Sequence, residues 1–269
     1  MKKLLFLILV TFFGCQRPVS EIRFIADSDN IFNLNNSVVA FVHPTPQELL
    51  GMGLLNPALS RDLDTTGKDH APYCAGFFIS ENRILTAAHC VGRYKITNTL
   101  FGPTRREIDE SPIGDTIKVV SYSQYKSNRG RMQIYRLYKV IRFNRAQDIA
   151  MIELADGQLP HVHHGILSIG RNPLMGEIVY ALGHPSGQGW SLTEGIISHP
   201  FRIIRRDQFG SRVYPRVIQA SSQVFSGNSG GPLINNSGEA IGITSSRIQP
   251  HIAFFAHTRI IRSFLSEAN

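Results

Sequence analysis

The chain has 269 residues, a length that suits one large domain or two small ones. Its hydrophobic content of 42% is enough for a core, which excludes an intrinsically disordered chain. The formal net charge is +8, but the basic residues are scattered and no stacking aromatics or binding motif accompany them, so we expect no nucleic-acid partner. Three cysteines are too few for a disulfide-dense mini-domain or a four-cysteine zinc site.

The N-terminus carries a candidate export signal. Two lysines precede an apolar run that ends just before Gly14 and Cys15. The run of about ten residues is too short for a membrane-spanning helix, which needs about 20. Residues 1–14 are therefore predicted to be a signal peptide, and the loss of their two lysines would lower the net charge to +6.

The segment that ends at Cys15 resembles the lipobox of bacterial lipoproteins, in which the cysteine is lipidated and becomes the new N-terminus. This resemblance predicts an exported protein that is lipid-anchored to the bacterial cell envelope. Ordinary cleavage with an unmodified Cys15, giving a periplasmic or secreted protein, is the alternative. A lipid on Cys15 would be the only membrane contact, because no later apolar run is long enough to span a membrane. Residues 15–36 are polar and are predicted to be a tether.

From residue 37 onward, short runs rich in Val, Ile, Phe and Tyr recur between turn residues. The runs predicted to be strands are 37–42, 73–79, 116–122, 133–141, 149–154, 177–182, 192–197, 212–219, 232–234, 240–244 and 251–256. Many short strands separated by Gly, Pro and Asn indicate a sandwich or barrel rather than βαβ units. Residues 258–265 place apolar side chains at helical spacing, so the predicted architecture is all-β with a C-terminal helix.

Three motifs far apart in the chain contain side chains suited to nucleophilic catalysis. They are Thr-Ala-Ala-His-Cys with His89, Asp-Ile-Ala with Asp148, and Gly-Asn-Ser-Gly-Gly-Pro with Ser229. A serine hydroxyl needs an imidazole that accepts its proton, and the imidazole needs a carboxylate that fixes its tautomer. Flanking glycines would let the N–H groups of Gly227 and Ser229 converge on one point and stabilise an oxyanion.

In the order His89, Asp148, Ser229, these motifs resemble those of the trypsin-like, chymotrypsin-fold serine peptidases. The stretch 176–197 also resembles the bacterial branch of that family. The resemblance implies a serine endopeptidase that hydrolyses peptide bonds of a protein or peptide substrate through an acyl-enzyme intermediate. It implies no metal and no organic cofactor, and it leaves the oligomeric state open.

The same resemblance implies a fold for residues 37–269. It predicts two antiparallel six-stranded β-barrels, the first over about 37–157 and the second over about 158–257, with the triad in the cleft between them. A C-terminal helix over about 258–266 would follow the second barrel.

Further residues are assigned by the family pattern. It pairs Cys74 with Cys90 in a disulfide that holds the loop of His89, and export supplies the oxidising compartment which that bond requires. Two buried thiols are the alternative. By the same analogy, Ser245 donates a hydrogen bond to Asp148 and begins the substrate-binding edge.

The predicted specificity pocket is neutral and small to medium in size. Gln223 stands where trypsin has its pocket carboxylate, so a preference for Arg or Lys is not expected. Glutamyl-specific relatives have a histidine where Thr244 stands, so that preference is not supported either. Asn228 replaces the acid that pairs with a newly cut N-terminus in trypsin, so this mode of activation is not expected. Arg247, two residues past Ser245, is interpreted as solvent-exposed, and contact with an acidic substrate group is the alternative. The residues predicted to line the pocket are Gln223, Val224, Thr244 and Ser245.

Two other interpretations of the motifs were weighed. Gly227–Gly231 also fits the nucleophile elbow of α/β-hydrolases, but Pro232 follows where that fold needs a helix, and only 40 residues remain after Ser229. The second interpretation is a non-catalytic binding or assembly module that retains the peptidase fold. The intact triad argues against it. The cluster His161, His163 and His164 lacks a suitably spaced carboxylate or cysteine and is predicted to be a loop without metal.

Overall fold

The computed structural model describes residues 33–42, 72–99, 102–107, 110–127, 135–160, 165–185, 189–204, 214–249 and 251–267. The predicted signal peptide, Cys15, most of the predicted tether, and His161, His163 and His164 lie outside the described residues. Within the described ranges, no helix has the length and apolar character needed to cross a membrane.

The N-terminal half forms a closed antiparallel barrel. Its six strands are β1 (Val38–Val42), β2 (Pro72–Phe78), β3 (Arg83–Thr86), β6 (Thr116–Ser121), β7 (Arg136–Asn144) and β8 (Ile149–Leu154). They pair in the order β1-β2-β3-β8-β7-β6. A separate hairpin and two short helices lie between these strands: β4 (Tyr94–Thr99), β5 (Gly102–Glu107), α1 (Ala88–Val91) and α2 (Tyr122–Ser127).

The C-terminal half forms a second closed barrel. Its strands are β9 (Ile178–Gly183), β10 (Ser191–Ile204), β11 (Tyr214–Ala220), β12 (Pro232–Asn235), β13 (Ala240–Gln249) and β14 (Ile252–His257). They pair in the order β10-β11-β14-β13-β12-β9. Helix α3 (Thr258–Ser266) follows β14 directly, and Nδ1 of its N-cap residue His257 accepts a 3.0 Å hydrogen bond from the Arg259 N–H. The predicted all-β fold of two six-stranded barrels with a terminal helix is confirmed.

One hydrophobic cluster joins the two barrels. Phe77 and Leu85 of the first barrel belong to the same buried cluster as Leu182 and Ile243 of the second. Across the same contact, the Trp190 indole N–H donates to the Val38 carbonyl at 3.1 Å. This shared core fixes the position of one barrel relative to the other, and therefore the geometry of the cleft between them.

Three local features differ from the sequence-based expectation. Residues 33–36, assigned to the tether, form a helical turn that belongs to the fold, because Leu34 is buried in the core and the Ser37 N–H bonds to the Asn33 carbonyl at 3.1 Å. Strands β3, β4 and β5 were not predicted, since a four-residue strand such as β3 is too short for a periodic signal. β10 continues to Ile204 instead of ending at residue 197. By contrast, the segment after Ser229 is strand β12, as predicted for residues 232–234, which is inconsistent with an α/β-hydrolase elbow.

Candidate active site

Strand pairing in the first barrel brings His89 and Asp148 together. His89 lies in α1, directly after β3, and Asp148 immediately precedes β8. β3 and β8 are neighbours, with Thr86 paired to Ala150. Because the end of β3 and the start of β8 are at the same edge of the barrel, residues 59 positions apart in sequence come into contact.

The His89 and Asp148 side chains form a close pair. His89 Nδ1 lies 3.0 Å from both carboxylate oxygens of Asp148, and the His89 backbone N–H donates to Oδ1 at 3.0 Å. The Ser245 hydroxyl from β13 donates to Oδ2, as the family pattern predicts. Since a carboxylate can only accept, the proton of the neutral imidazole is on Nδ1, and Nε2 is left with a lone pair that can accept a proton.

Asp148 is fully buried yet ionised at neutral pH. Burial alone would raise the pKa of this carboxyl group, but the charge of His89 and the hydrogen bonds from His89 and Ser245 outweigh burial and lower the pKa. The Asp148 backbone has a φ of 52°, in the left-handed region that Asp and Asn adopt more readily than most residues. A buried, ionised acid held in one orientation is suited to fixing the His89 tautomer.

The turn that carries Ser229 requires glycine on both sides. Gly227 has a φ of 99° and Gly230 a φ of 83°. A Cβ atom on Gly230 would lie 2.2 Å from both the Ala75 carbonyl oxygen and Thr86 Oγ1 of the first barrel. Any side chain at Gly230 would therefore meet backbone atoms and adopt an unfavourable φ, so the turn approaches the first barrel as closely as it does only because these residues are glycines.

Ser229 lies beside the His89 loop. Its carbonyl oxygen accepts a 2.7 Å hydrogen bond from the Ala75 N–H and lies 3.4 Å from Cys90 Sγ. Cys90 Sγ, Cys74 Sγ and a ring nitrogen of His89 are all within 4.8 Å of one another. The Ser229 hydroxyl forms no hydrogen bond to a described residue, and neither do the N–H groups of Gly227 and Ser229. The turn therefore presents one hydroxyl and two unused backbone donors.

The Cys74–Cys90 disulfide joins β2 to α1, with the two Cα atoms 5.9 Å apart. Among the described residues, these two cysteines and His89 form the group whose potential ligand atoms lie close enough together to hold a metal ion. Both sulfur atoms are bonded to each other, so the group lacks the thiolates that a metal site would need. The covalent link holds the His89 loop to the strand whose Ala75 binds Ser229.

The four residues predicted to line the specificity pocket differ in their surroundings. Gln223 is exposed, and its carbonyl accepts a 2.8 Å hydrogen bond from Thr193 Oγ1. Val224 belongs to the core cluster of the second barrel. Both backbone groups of Thr244 pair with the Ser229 turn, and the Ser245 side chain is directed to Asp148. Of the four side chains, Gln223 is the one that is exposed to solvent.

Three residues near the site make contacts that the sequence did not predict. Thr86 Oγ1 donates to the Ala75 carbonyl at 2.7 Å. Arg247 is exposed, as interpreted, and its guanidinium lies 4.8 Å from the centre of the Phe225 ring. His184 is fully buried behind Gly227. None of the three contacts follows from local spacing, because each partner is distant in sequence or on another strand.

Comparison with known proteins identifies the family. A family model described as a trypsin-like peptidase domain matches residues 74–243, more than half of the chain. The serine protease Do-like HtrB of Bacillus subtilis is 37% identical over 114 residues, which are 41% of this chain and 24% of that protein. The serine protease HTRA1 of Xenopus tropicalis is 31% identical over 161 residues, which are 56% of this chain and 34% of that protein.

The chain thus spans a quarter to a third of the length of these curated relatives. Among solved structures, the HtrA-type protease AlgW with a tripeptide has a TM-score of 0.55 at 20% identity, covering 88% of this chain and 61% of that one. The Rv3671c protease of M. tuberculosis in its active form has a TM-score of 0.57 at 18% identity, covering 89% and 86%. These two structures support the two-barrel fold. The chain belongs to the trypsin-like peptidase domain family, and its relatives are serine proteases of the HtrA and Do type.

Proposed function

We propose that this protein is a serine endopeptidase in which Ser229 is the nucleophile, His89 the general base and acid, and Asp148 the residue that orients His89. The observation that carries the proposal is the buried Asp148 carboxylate, which binds Nδ1 of His89 at 3.0 Å and leaves Nε2 as the basic nitrogen. The position of the Ser229 turn also supports the proposal, because its carbonyl oxygen lies 3.4 Å from Sγ of Cys90, the residue that follows His89.

In the first half of the reaction, the Ser229 hydroxyl transfers its proton to His89 Nε2 while its oxygen forms a bond to the scissile carbonyl carbon. The carbonyl oxygen becomes an oxyanion. The C–N bond then breaks, the amine leaves with the proton from His89, and an acyl-enzyme ester remains on Ser229. Water attacks this ester with His89 again as the base, which releases the acid and restores the serine.

The oxyanion is proposed to bind the N–H groups of Gly227 and Ser229. Both donors lie on the same turn, and both are without an acceptor among the described residues. Donors already oriented in this way stabilise the charge that develops on the carbonyl oxygen, and the loss of one donor typically lowers kcat by about 10²- to 10³-fold.

Activity-based labelling tests this assignment. A fluorophosphonate probe should attach to Ser229 of the wild type, located by peptide mass spectrometry, and the wild type should cleave unfolded casein. Ser229→Ala should do neither while keeping the wild-type circular dichroism spectrum. A folded wild type that neither reacts with the probe nor cleaves casein would contradict the proposal and favour the binding-module alternative.

We further propose that the specificity is not for Arg or Lys. Gln223 is neutral, and the nearby exposed Arg247 guanidinium would repel a basic substrate side chain. Cleavage of a peptide library with mass-spectrometric readout should show a neutral residue before the cut. A dominant preference for Arg or Lys would contradict this proposal without affecting the triad assignment.

Export and lipidation through Cys15 also remain a proposal, supported by the sequence of residues 1–15. Labelled palmitate should be incorporated into the wild type expressed in a bacterium with lipoprotein processing. Cys15→Ser should lose the label and appear in the soluble fraction. Equal labelling of the two proteins would exclude Cys15 as the lipid attachment site.

A further inference from the structure

One peptide group of the first barrel is hydrogen-bonded on both sides by residues of the second barrel. The Cys74 carbonyl accepts from Nε2 of His184 at 2.8 Å. The N–H of the same peptide group, which belongs to Ala75, donates to the Ser229 carbonyl at 2.7 Å. His184 and the candidate nucleophile are therefore linked through a single peptide unit of β2, and hydrogen bonds arranged in such a chain polarise and strengthen one another.

The tautomer of His184 follows from this contact. A carbonyl oxygen can only accept, so Nε2 carries the ring proton and Nδ1 has the lone pair. His184 is fully buried, and Nδ1 has no hydrogen-bond partner among the other described residues. Burial is the main cause that lowers the pKa of this imidazole to about 4, so the ring is neutral at pH 7.

His184 also lies directly behind the oxyanion turn. A Cβ atom on Gly227 would lie 2.3 Å from the His184 carbonyl oxygen and 3.1 Å from Nδ1. Asn228, the next residue of the turn, is buried against Gly183, and within the described part of the chain neither Oδ1 nor Nδ2 of its side chain has a hydrogen-bond partner. Since the Asn228 side chain does not fasten the turn, its position depends on main-chain hydrogen bonds and on close packing against His184.

We propose that His184 is a positioning residue: through the Cys74–Ala75 peptide group it holds the Ser229 main chain, and through its packing against Gly227 it sets the oxyanion turn. This inference rests on the proposed peptidase function. His184 touches neither the substrate nor the reacting atoms. It acts by holding the nucleophile and the two backbone donors in position relative to His89 on the other side of the cleft.

The rate of fluorophosphonate labelling of Ser229 measures this role directly. His184→Phe keeps an aromatic ring that can pack against Trp190, whose ring centre is 5.7 Å from that of His184, but it lacks the Nε2–H donor. We expect labelling to slow about 10- to 100-fold, the effect of a small displacement of reacting groups. His184→Gln places an amide N–H near the position of Nε2 and should stay within about threefold of the wild type.

His257→Phe is the matched control. His257 is also a buried histidine of the second barrel and its pKa is also lowered to about 4, but it caps α3 and stacks edge-on against Phe201. His257→Phe should lose stability in denaturant, as His184→Phe should, but it should react with the probe at the wild-type rate. Labelling is compared in buffer without denaturant, where each variant is shown to be folded by circular dichroism.

The possible results separate this inference from the proposed function. A wild type that does not react overturns both. A reactive wild type with an equally reactive His184→Phe overturns the positioning role alone, as does an equal slowing of the His257→Phe control. NMR of ¹⁵N-histidine-labelled wild type gives a readout that does not depend on activity: His184 should be the neutral Nε2–H tautomer at pH 7, and the Nδ1–H tautomer would overturn the inference.

Discussion

The two barrels contribute to the candidate site in different ways. The first barrel supplies side chains: His89 and Asp148 meet because β3 and β8 are paired strands. The second barrel supplies mainly backbone: the Ser229 turn is shaped by glycines at positive φ and leaves two N–H groups to which no described residue offers an acceptor. Strand register can position a side chain on its own, whereas the position of a backbone turn depends on what it packs against. The site therefore has a side-chain half on the first barrel and a backbone half on the second, and the two should respond differently to substitution.

The largest effect is expected at the side-chain half of the site. Asp148→Asn keeps the size of the residue but removes the charge and reverses one hydrogen bond, so His89 would adopt the wrong tautomer. We expect kcat for a peptide substrate to fall about 10⁴-fold with little change in KM. Asp156→Asn, at an exposed aspartate that pairs with Lys139, should have wild-type kinetics. A decrease of less than tenfold for Asp148→Asn would show that this carboxylate does not orient the base.

The backbone half should be sensitive to the addition of one carbon atom. Gly230→Ala would place a Cβ 2.2 Å from the Ala75 carbonyl oxygen at a φ of 83°. Overpacking and the unfavourable φ together should lower the free energy of unfolding by about 3 kcal/mol or more.

Gly157→Ala provides a matched control in the first barrel. Gly157 has a similar φ of 74°, but no atom lies within 4 Å of a Cβ built there. Only the backbone strain of about 1 kcal/mol should therefore be seen in urea denaturation. Equal losses for Gly230→Ala and Gly157→Ala would mean that the close approach to the first barrel is not what fixes the Ser229 turn.

The parts of the molecule also differ in how well the sequence alone predicted them. His89, Asp148 and Ser229 could be selected as candidates because each lies in a short local motif and the proposed chemistry requires these residue types. The apolar runs predicted an all-β sandwich or barrel with a terminal helix, whereas the two six-stranded barrels were implied by the family resemblance. β3 was not predicted because four residues are too few to show a period. The Cys74–Cys90 pair and the role of Ser245 came from the family resemblance and not from residue spacing.

What the sequence could not reveal is the contact between the barrels. His184 binds the carbonyl of a residue 110 positions away, and Gly230 approaches Ala75 on the opposite barrel. Such contacts depend on tertiary packing, which leaves no local pattern in the chain. The Val224 side chain, which is predicted to line the pocket, packs in the core of the second barrel, and this contact leaves no local pattern either. The odd cysteine count was informative only because Cys15 directly follows a predicted export signal.

The disulfide is a further difference between the barrels, with a smaller expected effect, because it cross-links only the first barrel. Replacement of both Cys74 and Cys90 by Ala opens a loop with a sequence separation of 16 and should lower the free energy of unfolding by about 3 kcal/mol in the chain-entropy model. Reductant should lower the denaturant midpoint of the wild type and leave that of the double variant unchanged. If reductant has no effect on the wild type, the bond does not contribute to stability.

The contributions of the two barrels to stability should also depend differently on pH. Burial, aided in His257 by two nearby arginines, lowers the pKa of both His184 and His257 to about 4. In the unfolded chain these imidazoles have the ordinary pKa of about 6.5, so between pH 6.5 and pH 4 the unfolded state binds more protons. Their contribution is fully present above pH 6.5 and is lost as the pH falls to 4. For His184 it amounts to about 3 kcal/mol at most.

In the first barrel, the pKa of Asp148 is lowered from 3.8, so its contribution is retained above pH 3.8 and lost only below it. Acid should therefore weaken the second barrel first. The measurement is the free energy of unfolding in urea from pH 7 to pH 3.5 for the wild type and for a His184→Gln, His257→Gln double variant, whose side chains do not titrate. The wild-type curve should fall between pH 6.5 and pH 4, and the variant curve should be flatter over that range. Parallel curves would show that these two histidines are not held neutral by burial, and acid sensitivity would then no longer distinguish the backbone half of the site from the side-chain half.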